Sequence, residues 1–146
     1  LFVSQVETHA SIRAFFPPGT LSPIHASGIG KALLAQMDPG QRDRCLANGG
    51  LEAFTPNTIV ARGALLADLQ LIRDRGYSYD DEERTPGMRC IAAPVFDINS
   101  EAVAGISVSG PTSRVSETTL ADLSRPVMDA ARELTAAIGG MPREPR

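Results

Sequence analysis

The sequence of 146 residues predicts a single α+β domain in which an antiparallel sheet carries helices on its faces. Two observations lead to this prediction. Three extended segments follow one another between residues 77 and 111, separated only by short turns. Segments with the spacing of amphipathic helices lie before and after them. No repeat and no low-complexity linker divides the chain, so no second domain is expected within it.

The start of the chain predicts two strands. The segments "LFVSQVE" at 1–7 and "SIRAFF" at 11–16 are rich in Phe, Val and Ile, and a Pro-Pro-Gly sequence stops the second. We expect the two segments to pair as a hairpin. Because strand character begins at the first residue, we also expect the natural protein to extend further toward its N-terminus.

Three helices are predicted next. "HASGIGKALLAQM" offers Ser27 as an N-cap, and an Asp-Pro pair follows it. "PGQRDRCLANGG" has proline where a first turn accepts it and glycines where a helix ends. In the third segment, Leu65, Leu69 and Ile72 share one face, and Gly76 closes the helix.

The second half of the chain predicts a meander and a closing helix. The strands are "YSYDDEE", "MRCIAAPVFD" and "EAVAGISVSGP". A helix is expected from Glu117 to Ile138, and Pro126 inside it should kink or restart it. Its predicted apolar side consists of Leu120, Leu123, Val127, Leu134 and Ile138.

Composition excludes several classes of protein. No apolar run approaches the roughly 18 residues of a membrane helix, so no membrane partner is expected. Two cysteines, Cys45 and Cys90, are too few for a disulfide framework, and the absence of a signal peptide favours the cytoplasm. With 14 basic and 17 acidic residues, this chain by itself should bind DNA poorly.

Three polar side chains lie on strands that are otherwise apolar. Alternation along the strand puts Cys90 on the same face as Met88. Ser107 and Ser109 likewise share a face. Their hydroxyl groups are either satisfied by neighbouring backbone or form the floor of a polar pocket, and the pattern leaves both interpretations open.

The loop "HASGIGK" leads through two glycines into a helix whose N-terminal N–H groups could bind an anion. Capping and close packing explain the same pattern equally well. It does not match a P-loop, because no Ser or Thr follows Lys31.

An enzymatic alternative is also open. Cys90 could be a nucleophile with His25 as its base and Asp80 as the orienting group, or the three could bind a metal ion. Arg89 is expected to point to the opposite face of its strand, and the four nearby acids would disfavour a thiolate. No pair of these ligands has the close spacing of a structural zinc site. The acidic run at 80–83 is most simply a solvated edge, with one inward-pointing acceptor as the less common arrangement.

Three ordered blocks carry a resemblance that covers nearly the whole chain. "SPIHASGIGKALLA", "RGYSYDDEERTPGMRCIAAPVFD" and "AGISVSGPTSR" resemble the C-terminal effector-binding domain of IclR-type bacterial transcription regulators. The resemblance implies a GAF-like (profilin-like) fold with an antiparallel sheet of about six strands. It also implies no enzyme activity and no cofactor, a homodimer or homotetramer, and DNA binding through a winged helix-turn-helix domain that precedes this chain.

The resemblance also implies a pocket for a small carboxylate such as glyoxylate or pyruvate. In such a pocket, backbone N–H groups, polar side chains, hydroxyls and one apolar wall contact the effector. The corresponding residues here are Gly28, Ile29, Asp80, Met88, Cys90, Ser107 and Ser109. Ile29 is larger than the residue usual at its position in such regulators, which should shrink or reshape the pocket.

Overall fold

From residue 28 onward, three helices, three strands and a closing helix follow one another in the order that the sequence predicts. The computed structural model describes residues 1–9, 17–47 and 50–143. Its elements are α1 (Gly28–Gln36), α2 (Pro39–Ala47), α3 (Arg62–Arg75), β1 (Ser78–Asp81), β2 (Met88–Phe96), β3 (Ala102–Pro111) and α4 (Leu120–Ala137). Within the described residues, the strands form one antiparallel sheet in the order β1-β2-β3. The predicted α+β class and the predicted meander are therefore confirmed.

The sheet separates two apolar clusters because side chains alternate along β2. Ile91, Ala93 and Val95 point to one face and pack against Val127 and Ala131 of α4. Cys90 and Ala92 point to the other face, where α1 begins. Behind α1, the predicted stripe of α3, Leu65, Leu69 and Ile72, is buried against Leu34 and Ala35. α1 is thus enclosed between the sheet and α3.

The closing helix differs from its prediction in two respects. α4 continues through Pro126 without restarting; Pro126 and Asp122, the residue four positions earlier whose carbonyl it leaves without a partner, are both exposed. Leu134 and Ile138 are 39% and 52% exposed, so they do not extend the predicted apolar side. The buried positions are Ser124, Val127, Ala131 and Thr135.

A polar residue ends that buried stripe for a structural reason. The Thr135 hydroxyl donates to the Ala131 carbonyl at 2.8 Å and accepts the Phe96 N–H at 3.1 Å. Thr135 thereby satisfies the last backbone group of β2, which an apolar side chain could not do.

The prediction of a strand at residues 1–7 is wrong, since the structure has no strand there. The Phe2 N–H donates to the Thr20 carbonyl at 3.0 Å, and the Gly19 N–H donates to the Phe2 carbonyl at 2.8 Å. Val3 and Val6 are 82% and 100% exposed, so burial does not stabilise the strand that their β propensity predicts. The predicted strand at 11–16 lies outside the described residues. Among the helices that the structure describes, none has the length and apolar character needed to cross a bilayer.

Candidate functional site

A cavity of about 210 Å³ lies between the N-terminus of α1 and the end of the sheet where β2 begins and β3 ends. Its wall includes every residue that the resemblance to IclR-type regulators implied. These residues are Gly28, Ile29, Asp80, Met88, Cys90, Ser107 and Ser109. Residues from α1, β1, β2 and β3 therefore converge on one concave space.

The start of α1 approaches β2 closely because residue 28 has no side chain. A Cβ atom on Gly28 would lie 2.6 Å from the Cys90 Sγ, well inside van der Waals contact. The Ser78 hydroxyl, buried on β1, donates to the Gly28 carbonyl at 2.6 Å and fixes the helix against the sheet. Ser27 caps α1 as predicted, because its Oγ accepts the Gly30 N–H at 3.2 Å.

Ile29 closes one side of the cavity over β3. Its Cγ2 would lie 2.9 Å from a Cβ atom on Gly105, so the isoleucine rests on a glycine that gives it room. Gly105 belongs to the same face as Ser107, two residues further along the strand. The bulk of Ile29 therefore occupies space next to the serine hydroxyls.

Cys90 and the two serines form the floor. Strand register places Cys90 opposite Ser109 and Ala92 opposite Ser107. Burial raises the pKa of the Cys90 thiol to about 11, although hydrogen bonds from Ser109, Ser107 and the Gly28 N–H favour the thiolate. At neutral pH the thiol is therefore protonated, and a thiolate nucleophile is not populated.

Asp80 is the buried acid of the cavity and is 7% exposed. Burial raises its pKa to about 6, against the lowering effect of the Glu83 N–H, which donates to Asp80 Oδ1 at 2.8 Å. The nearby Glu83 carboxylate raises this pKa further, and Lys31 lowers it. Asp80 is therefore mostly ionised at neutral pH, but its protonation costs little free energy.

The loop after β1 is held by the segment before α3. The hydroxyls of Thr55 and Thr58 donate to the carbonyls of Glu82 and Glu83 at 2.7 and 2.6 Å. Glu82 adopts a left-handed backbone conformation with φ of 60°, and its carboxylate accepts the Gly87 N–H at 2.6 Å. These bonds fix the turn that positions Asp80.

The acidic run at 80–83 is not a solvated edge. Asp80 and Glu83 are buried, while Asp81 accepts from Arg89 Nε at 2.6 Å. Glu83 in turn accepts from the buried Lys31 Nζ at 2.6 Å. Each acid has its own partner, so two of the four point inward rather than one.

The structure does not assemble the catalytic group considered from sequence. His25 lies outside the cavity wall, and its Nε2 is 2.9 Å from the Glu52 carbonyl oxygen, beside the Phe54 ring. In residues 1–9, 17–47 and 50–143, no three His, Cys, Asp or Glu side chains are grouped so that they could hold a metal ion. His25 therefore acts as a structural link between two loops.

Several wall residues were not anticipated from sequence. Arg84 lines the cavity and stacks on Phe54, with 4.4 Å from its guanidinium carbon to the ring centroid. Phe2 and Thr85 also line it. The acidic run directly before Arg84 was the available signal, because a buried acid often has a neighbouring cation; Phe2 reaches the cavity only through tertiary folding.

Comparison with known proteins identifies the family. Residues 1–136 match the family described as bacterial transcriptional regulator IclR, C-terminal. The chain is 59% identical over 144 residues to the regulator BhcR of Paracoccus denitrificans, covering 99% of this chain and 51% of that protein. It is 43% identical over 141 residues to the Escherichia coli repressor IclR, covering 97% of this chain and 52% of that protein. The chain thus spans about half the length of these relatives.

Solved structures agree with the sequence comparison. The Thermotoga maritima IclR structure has a TM-score of 0.87 and 32% identity, covering 92% of this chain and 54% of that chain. A double mutant of the PobR inducer-binding domain from Acinetobacter, in complex with 3-hydroxybenzoic acid, has a TM-score of 0.71 and 30% identity, covering 78% of this chain and 66% of that chain. As the resemblance led us to expect, the curated relatives are named as regulators and repressors rather than as enzymes. This chain is a member of the family of C-terminal domains of IclR-type bacterial transcriptional regulators.

Proposed function

We propose that the cavity at the start of α1 binds a small carboxylate effector. The observation that carries this proposal is the convergence of backbone N–H groups, two hydroxyls and one buried acid on a concave space of about 210 Å³. Concave sites with a few convergent polar groups are the usual form of a ligand pocket.

The N-terminus of α1 is the proposed position of the effector carboxylate. The N–H groups of Gly28 and Ile29 belong to the first turn of the helix, where they have no intrahelical acceptor. The helix dipole adds a partial positive charge at the same end. Ser107 and Ser109 can rotate their hydroxyls to donate to the second carboxylate oxygen.

Asp80 is the proposed acceptor for a hydroxyl or a hydrated carbonyl of the effector. Its Oδ1 already accepts the Glu83 N–H, and the carboxylate has further acceptor capacity. Met88 and Ile29 supply apolar contact to the carbon atoms of the effector. Cys90 contributes a neutral, polarizable contact.

The cavity volume favours a short acid. About 210 Å³ is below the roughly 300–1,000 Å³ of pockets for drug-sized ligands. The complex of PobR with 3-hydroxybenzoic acid supports a carboxylate as the chemical class. Glyoxylate and pyruvate suit this smaller space, which Ile29 helps to limit.

A calorimetric titration tests the pocket. Glyoxylate and pyruvate are titrated into the chain and into Asp80→Asn and Asp43→Asn variants. Asp80→Asn should weaken binding about tenfold or more, since it removes a charged acceptor. Asp43→Asn is the control, because Asp43 is an exposed acid of α2 and neither it nor its partner Arg62 lines the cavity. Equal affinities for the two variants, or no binding by the unmodified chain, would overturn the proposal.

We also propose that effector binding regulates DNA binding by a winged helix-turn-helix domain preceding this chain in a cytoplasmic homodimer or homotetramer. An effector can act only through a difference in affinity between two arrangements of the oligomer, and typical couplings are about 1–3 kcal/mol. DNase footprinting of the longer protein with and without effector tests this step. An unchanged footprint and unchanged affinity would contradict it, whatever the calorimetry shows.

A further inference from the structure

A second cavity, of about 570 Å³, lies at the opposite end of α1. It is bounded by the last residue of α1, the start of α2, the end of α3, the second half of β2 and one side of α4. Five arginines line it: Arg42, Arg73, Arg75, Arg132 and Arg143. Asp38 is the one acidic residue among the lining residues that the structure describes. This concentration of positive charge contrasts with the net charge of −3 of the whole chain.

Backbone carbonyls hold three of these guanidinium groups in place. Arg73 Nε donates to the Ala35 carbonyl at 2.9 Å, and Arg143 Nη1 donates to the Gln36 carbonyl at 2.8 Å. Arg75 Nε donates to the Tyr77 carbonyl at 2.7 Å. The first two bonds stabilise the C-terminal end of α1, which is a sufficient structural role for Arg73 and Arg143.

Arg42 has no such structural role. Its Nε is buried, and within the described part of the chain it has no hydrogen-bond partner. A buried donor without an acceptor costs about 1–3 kcal/mol, more for a charged group. A ligand oxygen at this position would remove that cost.

Apolar side chains also line this cavity. They include those of Pro94 and Phe96 of β2, Met128 of α4 and Met37 after α1. An inorganic anion would leave them unused, whereas the body of an organic anion would contact them.

We propose that this cavity is a second binding site, for an organic phosphate or pyrophosphate such as a nucleoside diphosphate. Planar guanidinium groups donate two parallel hydrogen bonds to phosphate oxygens, which is why arginine predominates in phosphate sites. Here the arginines come from α2, α3, α4 and the segment after α4, so a multiply charged group could contact guanidinium groups from several elements. The site is separate from the carboxylate cavity, and its existence does not depend on that cavity's ligand.

Isothermal titration at about 0.15 M salt tests the site with inorganic phosphate, inorganic pyrophosphate and adenosine diphosphate as probes. We expect one pyrophosphate per chain, bound more tightly than phosphate, and adenosine diphosphate bound at least as tightly as pyrophosphate. Arg42→Gln should weaken pyrophosphate binding about tenfold or more. Arg125→Gln, an exposed arginine of α4 outside the cavity, should change it less than twofold.

Equal weakening by the two variants would assign the binding to general charge and overturn the proposal, as would the absence of pyrophosphate binding. Arg132→Gln provides a second test if Arg42→Gln lowers the melting temperature, because the ion pair of Arg132 in the described part of the chain is with an exposed acid of its own helix, Asp129. Asp80→Asn should leave the pyrophosphate affinity unchanged. This separates a failure of the second site from a failure of the carboxylate site.

Discussion

The surroundings of Cys90 determine the protonation state of its thiol and therefore its reactivity. Its sulfur lies on the floor of the carboxylate cavity, within reach of two serine hydroxyls and the Gly28 N–H, and these groups favour a thiolate. Burial outweighs them and raises the thiol pKa to about 11. A protonated, polarizable thiol suits contact with a ligand and does not suit nucleophilic attack.

Alkylation with iodoacetamide measures this property directly. In a Cys45→Ser background, which removes the other, exposed cysteine, Cys90 should react slowly at neutral pH and faster only as the pH approaches about 11. The same chain in denaturant should follow an ordinary thiol pKa of about 8.5. Fast alkylation of the folded chain at neutral pH would contradict the assignment of Cys90 as a neutral contact.

Two glycines provide a second measurement at the residue scale. Gly28→Ala should destabilise the chain by about 1–3 kcal/mol, because the new Cβ would lie 2.6 Å from the Cys90 sulfur. Gly63→Ala is the matched control in α3, where a Cβ atom meets nothing within 4 Å. That change should stabilise the chain by up to about 1 kcal/mol through helix propensity. Urea unfolding of both variants gives the comparison, and equal effects would refute the proposed close approach.

The site residues on strands could be predicted from sequence, and those in loops could not. Period-two alternation along a strand is enough to put Cys90 and Met88 on one face and to make Ser107 and Ser109 neighbours on theirs. Arg84 reaches the cavity because a left-handed residue turns the chain after β1. That turn is maintained by contacts with residues about 25 positions earlier, which no local pattern reveals.

At the scale of elements, a buried lysine links α1, α3 and the loop after β1. Lys31 Nζ donates to Asp68 at 2.8 Å, to the Tyr79 carbonyl at 2.7 Å and to Glu83 at 2.6 Å. All three ammonium donors therefore have acceptors, which allows a lysine to be 1% exposed. The network connects the helix that begins at the carboxylate cavity to the loop that positions Asp80.

Removing this lysine should cost more than removing a surface ion pair. Lys31→Met leaves the Glu83 carboxylate buried without its cation, and we expect a loss of about 3–5 kcal/mol in urea unfolding. Arg62→Met, which breaks the exposed pair with Asp43, should cost about 1 kcal/mol or less. Adding Glu83→Gln to Lys31→Met should restore part of the loss. A double variant no more stable than Lys31→Met would show that unpaired charge is not the cause.

Elements were predicted well where a buried stripe or a strand alternation was complete. The three strands and α3 follow such patterns. The predictions failed at the two ends of the chain. Residues 1–7 have strand propensity but no buried face, and α4 buries Ser124 and Thr135 in place of Leu134 and Ile138. In α4, Thr135 is buried because it accepts a hydrogen bond from the Phe96 N–H. The position of Phe96 depends on where β2 ends, which the apolar pattern of α4 does not contain.

At the scale of the whole molecule, both cavities adjoin the same two elements. The first residues of α1 line the carboxylate cavity, and its last residue lines the arginine cavity. β2 likewise passes from Met88 and Cys90 at the first to Pro94 and Phe96 at the second. A displacement of α1 along the sheet would therefore change both sites. The two binding equilibria would then be coupled, so that each ligand changes the affinity for the other ligand by the same factor.

Burial of Asp80 and Glu83 should also make the free energy of unfolding depend on pH. The Asp80 pKa is raised from 3.8 to about 6 in the folded chain, so the folded state binds more protons than the unfolded state between these values. Stability from this group is then fully present below about pH 4 and is lost as the pH rises through about 6. The Glu83 pKa is also raised by burial, in the same direction.

Urea unfolding of the chain and of Asp80→Asn across pH 4 to 7.5 isolates the contribution of Asp80. The asparagine keeps an oxygen for the Glu83 N–H but carries no charge. Relative to the unmodified chain, the variant should therefore gain stability as the pH rises. A shift of about two pKa units, at roughly 1.4 kcal/mol each, gives a gain on the order of 2–3 kcal/mol.

The exposed Asp43→Asn variant, used as a control, should show a much smaller change with pH. A stability difference between the chain and Asp80→Asn that does not vary with pH would contradict the raised pKa of Asp80. Water would then solvate this carboxylate in the folded chain, and Asp80 would not be the desolvated acceptor that the proposed effector site requires.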